Sequence, residues 1–78
     1  MVGCFARSLA GHDQGTVYIV IEETDRFVLV ADGRIRTIEH PKRKNRKHIQ
    51  LTAVRGRMEN NEAIKHSIKE FLRRTTDV

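Results

Sequence analysis

Apolar residues recur at two different spacings along this chain, and the change between them limits the folds that it can adopt. In residues 16–22, Val17, Ile19 and Ile21 alternate with the side chains between them, and five of the seven residues are β-branched. Such alternation is typical of a β-strand. From residue 63 onward the apolar side chains recur every three to four positions, which is the period of an α-helix. The pattern predicts a β-rich first part followed by one helix.

Further segments of the first part have the composition of short strands and tight turns. Phe27–Ala31 is apolar on both faces, as expected of a central strand, and the Asp32-Gly33 pair that follows is a strong hairpin signal. Pro41 has no backbone N–H to donate, so we expect the returning strand to end before it. The return strand is predicted at Arg34–Glu39 and a charged loop at Lys42–Lys47. Two further strands are predicted at Gly3–Arg7 and His48–Leu51.

The last third predicts one amphipathic helix from about Asn61 to Arg74. Either Asn60 or Asn61 is suited to cap its first turn, and residues 75–78 are expected to fray from its end. An apolar stripe runs along the helix and is expected to pack against the strands; it consists of Ile64, Ile68, Phe71 and Leu72.

Together these elements predict an α+β fold in a single small domain of 78 residues. Four to five short antiparallel strands closed by tight turns fit a small, strongly bent β-barrel. We assign residues 1–52 to this barrel, including a basic loop at 41–48, and residues 53–78 to a linker and a helix packed on the barrel.

Positive charge is concentrated in the middle of the sequence. The whole chain has a formal net charge of +5, whereas residues 34–57 alone contain nine bases and one acid, a net charge of +8. Because clustered like charges repel one another, such a segment is typical of a surface that binds a polyanion. The candidate binding residues are Arg34, Arg36, Lys42, Arg43, Lys44, Arg46, Lys47 and His48.

A second candidate surface is the loop between the first two predicted strands. Glycines allow a positive φ and let a ligand backbone approach closely, and the residues between them offer hydrogen bonds. The same glycines could equally serve the turn alone. The candidate residues of this loop are Gly11, His12, Gln14 and Gly15.

The segment Ser8-Leu9-Ala10-Gly11-His12-Asp13-Gln14-Gly15, with Tyr18-Ile19-Val20-Ile21 behind it, resembles the KOW motif. That motif is a strand-loop-strand element of ribosomal proteins and NusG-type transcription factors. The Phe27–Gly33 segment, the basic run from Pro41 to Ile49 and the helix start Asn61–Ile64 also resemble small KOW-domain RNA-binding proteins of Gram-positive bacteria. Those proteins are in turn similar to KOW-containing large-subunit ribosomal proteins.

The resemblance implies an SH3-like barrel that binds structured RNA, with ribosomal RNA or the ribosome as the expected partner. In such domains the loop that corresponds to residues 11–15 commonly approaches RNA. Many members carry a basic residue just before the second glycine, where this chain has Gln14. The loop fold is therefore expected to be kept, whereas a phosphate contact from this side chain is in question.

Residue spacing argues against several other functions. His12, His40, His48 and Cys4 include no closely spaced pair of the kind that binds zinc, so we expect no metal or cofactor. No nucleophile and base are recognisably arranged, so we expect no enzyme activity and no small-molecule substrate. No apolar run approaches the ~20 residues of a membrane span. We expect no membrane partner, and the absence of a visible secretory pattern favours the cytoplasm.

Other binding functions remain open at this stage. An SH3-like barrel could bind an acidic or ribosome-associated protein, and a basic segment does not distinguish RNA from DNA. A methyl-lysine reader needs an aromatic cage, which a chain with one Tyr and three Phe is poorly equipped to form. We expect Phe5, Phe27 and Phe71 in the core, and Tyr18 is a candidate for stacking on bases.

Overall fold

The computed structural model describes residues 1–76, which form five strands, a short 3₁₀-helix and one α-helix. In chain order these elements are β1 (Cys4–Ser8), β2 (Val17–Glu23), β3 (Phe27–Ala31), β4 (Lys42–Asn45), the 3₁₀-helix (Arg46–His48), β5 (Ile49–Arg55) and α1 (Asn61–Thr76).

All strand pairs are antiparallel, and the strand order in the sheet is β4-β3-β2-β1-β5. The predicted antiparallel sheet with a C-terminal helix is therefore confirmed. The two edge strands, β4 and β5, are joined through only the three residues of the 3₁₀-helix. In a flat sheet these edges would lie about 19 Å apart, whereas the linking backbone can span at most about 14 Å. The sheet must therefore curl strongly, and register shifts in β1 and β2 contribute to the bend.

Both faces of the curled sheet are buried, whereas alternation in β2 predicts burial only of the face with Val17, Ile19 and Ile21. On one face, Val17 and Ile19 belong to a cluster that α1 covers, and the exposed fractions of Ile19 and Ile64 are both 0%. On the other face, Tyr18 and Val20 belong to a second cluster with strand residues only; its members are Ala6, Tyr18, Val20, Val28, Val30 and Ile49. The chain thus has two small apolar layers, one beneath the helix and one inside the bend.

The predicted helix is confirmed and continues to Thr76, while residues 77–78 lie outside the described part of the chain. Asn60 caps the first turn, because its side chain accepts a hydrogen bond from the Ala63 amide at 2.8 Å. The ring of Phe71 stacks on the ring of Phe5 with their centroids 4.2 Å apart. Ile64, Ile68 and Phe71 of the apolar stripe therefore face the sheet, whereas Leu72 is exposed and its predicted packing on the strands is wrong.

The predicted return strand Arg34–Glu39 is wrong, since residues 32–41 form an irregular connection between β3 and β4. The Asp32 carboxylate accepts hydrogen bonds from the Arg34 and Arg36 amides, both at 2.9 Å. A side chain that binds nearby amides offers the backbone an alternative to strand pairing. The Asp32-Gly33 pair consequently makes a tight turn without making a hairpin.

The predicted charged loop Lys42–Lys47 is wrong as well, because its first four residues form β4. This strand pairs with β3, with Lys44 opposite Val28 and Lys42 opposite Val30. The apolar edge of β3 supplies a pairing partner that the local charge pattern does not reveal. The next strand, β5, also runs beyond the predicted Leu51 to Arg55 and crosses the division that we drew at residue 52.

We expect the Ile64→Ala substitution to destabilise the protein by about 3 kcal/mol, because it leaves a cavity between helix and sheet. Ile64 has an exposed fraction of 0%. The free energy of unfolding from denaturant titration provides the measurement. Ile35→Ala is the matched control, because that side chain is 84% exposed. Equal losses from the two substitutions would contradict the packing of the helix on the sheet.

Candidate nucleic-acid interface

The carboxylate of Asp13, in the loop between β1 and β2, holds four side chains around it. Its Oδ1 accepts hydrogen bonds from the Ser8 hydroxyl at 2.9 Å and from the Lys44 ammonium at 3.0 Å. Its Oδ2 accepts one from the Tyr18 hydroxyl at 2.6 Å and lies 3.1 Å from the Lys42 ammonium. Asp13 and Lys44 are 13% and 9% exposed as side chains, so this ion pair is largely removed from water.

Alternation along β4 places the two lysines on this carboxylate. Residues opposite each other in an antiparallel pair point to the same face, so Lys42 and Lys44 share the inner face with Val30 and Val28. The Lys44 ammonium also donates to the Ala10 carbonyl at 3.0 Å, which ties β4 to the 9–15 loop. Two nearby cations therefore stabilise the one acid of this loop.

The pKa values of the cluster show how firmly the Asp13 charge is held. Burial raises the pKa of Asp13, but hydrogen bonds from Tyr18, Lys44, Ser8 and Lys42 together outweigh it and hold the pKa well below its ordinary value. Burial, followed by the hydrogen bond to the Asp13 carboxylate and its negative charge, raises the pKa of Tyr18 well above that of a free phenol. Asp13 is therefore ionised and Tyr18 protonated throughout the neutral range.

Three of the predicted phosphate-binding bases are thus paired with acids of the protein itself. Lys42 and Lys44 bind Asp13, and the Arg46 guanidinium lies 2.7 Å from a Glu23 carboxylate oxygen. Of these three, Lys44 is the most buried, with an exposed fraction of 8% for the whole residue. These side chains position the interface through their carboxylate partners. Lys44 is largely buried, whereas the side chains of Lys42 and Arg46 are still 28% and 35% exposed.

The remaining predicted bases are exposed. Arg34 and Arg36 lie in the 32–41 connection, Arg43 lies on the outer face of β4, and Lys47 and His48 lie on the 3₁₀-helix. Among the ion pairs of residues 1–76, none involves any of these five bases. The Arg43 guanidinium carbon lies 5.0 Å from the centre of the Phe27 ring, which holds this cation in place while leaving it open to solvent.

The glycine loop presents an open backbone to solvent. Gly11 and Gly15 have φ values of +93° and +91°, and a Cβ at Gly15 would meet nothing within 4 Å. The loop closes through hydrogen bonds from the Gly15 amide to the Ser8 carbonyl and from the Thr16 amide to the Asp13 carbonyl. His12 and Gln14 are exposed between the glycines. All four predicted loop residues therefore lie on the surface.

A groove of about 660 Å³ lies between the glycine loop, the 32–41 connection and α1. Its lining includes Gly15 and Arg34, which sequence analysis selected, together with Lys65 and Lys69, which it did not. The spacing of these two lysines places them on one side of the helix, next to the apolar stripe. The four-residue spacing is enough to predict that Lys65 and Lys69 lie on the same side of the helix. Their position at the same groove as Arg34 could not be predicted, because it depends on how the helix docks on the sheet.

The aromatic residues fill structural positions. Tyr18 is 3% exposed and its hydroxyl binds Asp13, so the hypothesis that it stacks on bases is wrong. Phe5 is buried as predicted, whereas Phe27 and Phe71 are only partly buried. The ring of Phe27 lies beneath Arg43, so it reaches the surface only as the support of a cation.

Among the described residues, no group of three or more His, Cys, Asp and Glu side chains is arranged to hold a metal ion. Within the same part of the chain, no helix combines the length and apolar character that crossing a membrane requires.

Comparison with known proteins does not assign the chain to a family. No protein-family model matches it, and no curated protein matches its sequence. The candidate interface must therefore be interpreted from its own residues.

We expect Asp13→Asn to lower the free energy of unfolding by roughly 2–4 kcal/mol, because it leaves the Lys44 ammonium buried without its counter-charge. Thermal or denaturant unfolding followed by circular dichroism measures the change. Glu62→Gln is the matched control, since it removes a carboxylate from an exposed ion pair with Lys65. A control variant as unstable as Asp13→Asn would contradict the special role of the cluster.

The low pKa of Asp13 also predicts how stability depends on pH. The unfolded chain takes up a proton at this position near the ordinary pKa of about 4, whereas the folded protein resists protonation to lower pH. The contribution of Asp13 is therefore complete above about pH 5 and is lost as the pH falls further. We expect the difference in unfolding free energy between wild type and Asp13→Asn to shrink between pH 6 and pH 2. A constant difference over that range would contradict this prediction.

Proposed function

We propose that the protein is a non-catalytic RNA-binding domain that contacts structured RNA through phosphates, with ribosomal RNA or the ribosome as its partner. The observation that carries the proposal is the set of exposed bases in residues 34–48, together with an open glycine loop whose Gly15 lies at the same groove as Arg34. The principal contacts come from Arg34, Arg36, Arg43 and Lys47, and His48 lies beside them. Gly11, His12, Gln14 and Gly15 would meet the RNA backbone at the loop.

Phosphate binding fits the chemistry of these side chains. Three of the four principal bases are arginines, whose planar guanidinium groups donate pairs of hydrogen bonds to phosphate oxygens. Each contact releases counterions from the RNA, which supplies affinity without reading sequence. Specificity would then come from the shape of the RNA and from the fixed arrangement of the loops.

The finer description of the fold belongs to the same proposal. The short connection between β4 and β5, and the curl that it imposes on the sheet, favour closure into an SH3-like barrel. The strand-loop-strand unit from β1 to β2 supports the resemblance to the KOW motif, since its glycine loop lies at the expected place. A KOW assignment would account for RNA as the ligand and for a cytoplasmic location.

In this mechanism Lys42, Lys44 and Arg46 act mainly by positioning. The two lysines hold the glycine loop against β4 through Asp13, and Arg46 joins the end of β4 to Glu23 and to the Thr24 carbonyl. A fixed loop and a fixed strand present the exposed bases at constant spacing, which reduces the entropy lost on binding.

The groove supports one alternative, a module for an acidic or ribosome-associated protein. Its apolar lining includes Val17, Ile68 and Leu72. The charged residues at the same groove are three bases and two acids: Arg34, Lys65, Lys69, Asp32 and Glu62. An acidic peptide with one apolar anchor would match that chemistry. Pull-down from cell extract before and after nuclease treatment separates the two functions, because partners that survive nuclease favour protein binding.

We expect the affinity for ribosomal RNA to fall with salt, with a slope of log K against log salt of roughly −3 to −4 for four phosphate contacts. Replacing Arg34, Arg36, Arg43 and Lys47 with Gln should weaken binding strongly and bring the slope close to zero. Filter binding or fluorescence anisotropy between 50 and 300 mM salt measures both effects.

The matched control removes four other bases, at the end of β5, in the linker and in the last turns of α1: Arg55, Arg57, Arg73 and Arg74. Both variants change the net charge equally, so only a localised interface predicts that the control retains most of its affinity. Equal losses, or wild-type affinity that does not depend on salt, would contradict the proposed mechanism. Stronger binding to duplex DNA than to structured RNA at equal salt would overturn the choice of RNA.

A further inference from the structure

The most exposed large apolar side chain among the described residues lies between two arginines. Ile35 is 84% exposed, well above the 48% of Val54, the next in order. Its neighbours Arg34 and Arg36 are exposed too. An isolated exposed apolar residue is ordinary, but an aliphatic side chain between two exposed cations can match a ligand that combines an apolar surface with flanking negative charges.

Local hydrogen bonds hold this tip in one conformation. The Asp32 carboxylate accepts from the amides of Arg34 and Arg36, both at 2.9 Å. In the opposite direction, the Asp32 and Gly33 amides donate to the Arg36 carbonyl at 2.8 and 3.0 Å. Four hydrogen bonds thus close the backbone of residues 32–36 into a turn. Ile35 belongs to this turn, and its side chain points into solvent.

The turn is also fixed to the helix. Gly33 has a φ of +81°, and a Cβ at this position would lie 2.3 Å from the Asn61 carbonyl oxygen, so only glycine permits the approach. Beyond the tip, the Asn61 side chain accepts from the Ile38 amide at 2.8 Å and donates to the Glu39 carboxylate at 2.9 Å. The connection is therefore attached to the N-terminal turn of α1 on both sides of its tip.

We propose that Arg34, Ile35 and Arg36 form a wedge that enters unpaired or weakly stacked RNA, a site that rests on the proposed RNA-binding function. Ile35 would lie against the face of an unstacked base, while the two guanidinium groups bind the phosphates on either side. Bases in loops and bulges are accessible in this way, whereas the interior of a continuous duplex is not. The wedge gives the interface a preference for interrupted helices that phosphate contacts alone do not supply.

A membrane surface and an acidic peptide are the competing ligands. A membrane-binding element needs a broad apolar face or several anchors, and this tip offers one aliphatic side chain. An acidic peptide could pair with the arginines but has no particular need for an aliphatic group between them. A nucleotide presents an apolar base face between two charged phosphates, so it matches all three side chains.

The test compares two RNA hairpins that differ only in an internal loop, with 2-aminopurine placed in that loop. We expect the wild type to prefer the interrupted hairpin and to raise 2-aminopurine fluorescence, because the base loses its stacking partners. Ile35→Ala should bind that hairpin roughly tenfold more weakly, remove the fluorescence rise at saturation and keep the salt slope. Val54→Ala, at a side chain that is 48% exposed on β5, is the matched control and should behave as the wild type.

The outcomes separate the wedge from the broader function. Salt-dependent binding with no difference between wild type and Ile35→Ala, or a fluorescence rise that persists in the variant, would overturn the wedge and leave RNA binding in place. Failure of the wild type to bind either hairpin would overturn RNA binding itself. If Ile35→Ala instead lost binding to vesicles containing phosphatidylserine while keeping its RNA affinity, the tip would be a membrane contact.

Discussion

The buried carboxylate of Asp13 is the interaction on which the rest of the candidate interface depends. It binds Ser8 at the end of β1, Tyr18 in β2 and Lys44 in β4, so one side chain joins the glycine loop to three strands. A largely buried ammonium without this partner would be costly, which makes the contact difficult to replace. The two hydroxyls complete the arrangement, and no buried side-chain nitrogen or oxygen in the described part of the chain lacks a hydrogen-bond partner. The cluster therefore ties the glycine loop to β4.

Strand alternation then divides the basic segment into an inner and an outer set. Lys42 and Lys44 point inward to Asp13, whereas Arg43 points outward over Phe27. A run of bases that looks uniform in sequence thus has two physical roles. Asp13 offsets one of the two inner positive charges and fixes both lysines at the loop, and the proposed function assigns polyanion binding to the outer charges. The exposed charge is smaller than the segment total of +8, but its positions are better defined.

The predictable parts of this protein are those in which apolar periodicity decides the structure. Alternation identified β2 but not the burial of its second face, and the helical period identified α1 and its stripe except for the exposed Leu72. Prediction failed in residues 34–47, where apolar contacts are few. There the Asp32 carboxylate replaced strand pairing with a turn, and β4 formed because β3 offered a free edge. The cluster around Asp13 was not predicted for a related reason. Asp13 and Lys44 are 31 residues apart, and no local sequence pattern connects them.

The helix α1 contributes side chains to the candidate interface and also holds the 32–41 connection in place. The backbone of Gly33 approaches the Asn61 carbonyl closely, and the Asn61 side chain holds residues 38 and 39. The exposed tip at 34–36 is therefore positioned by α1, although the tip precedes that helix by some 25 residues. Packing of Ile64 against the sheet and presentation of Arg34 and Arg36 are consequently coupled, since both depend on the same docked helical turn. In a domain this small, the apolar layer that stabilises the fold also sets the spacing of the charges on its surface.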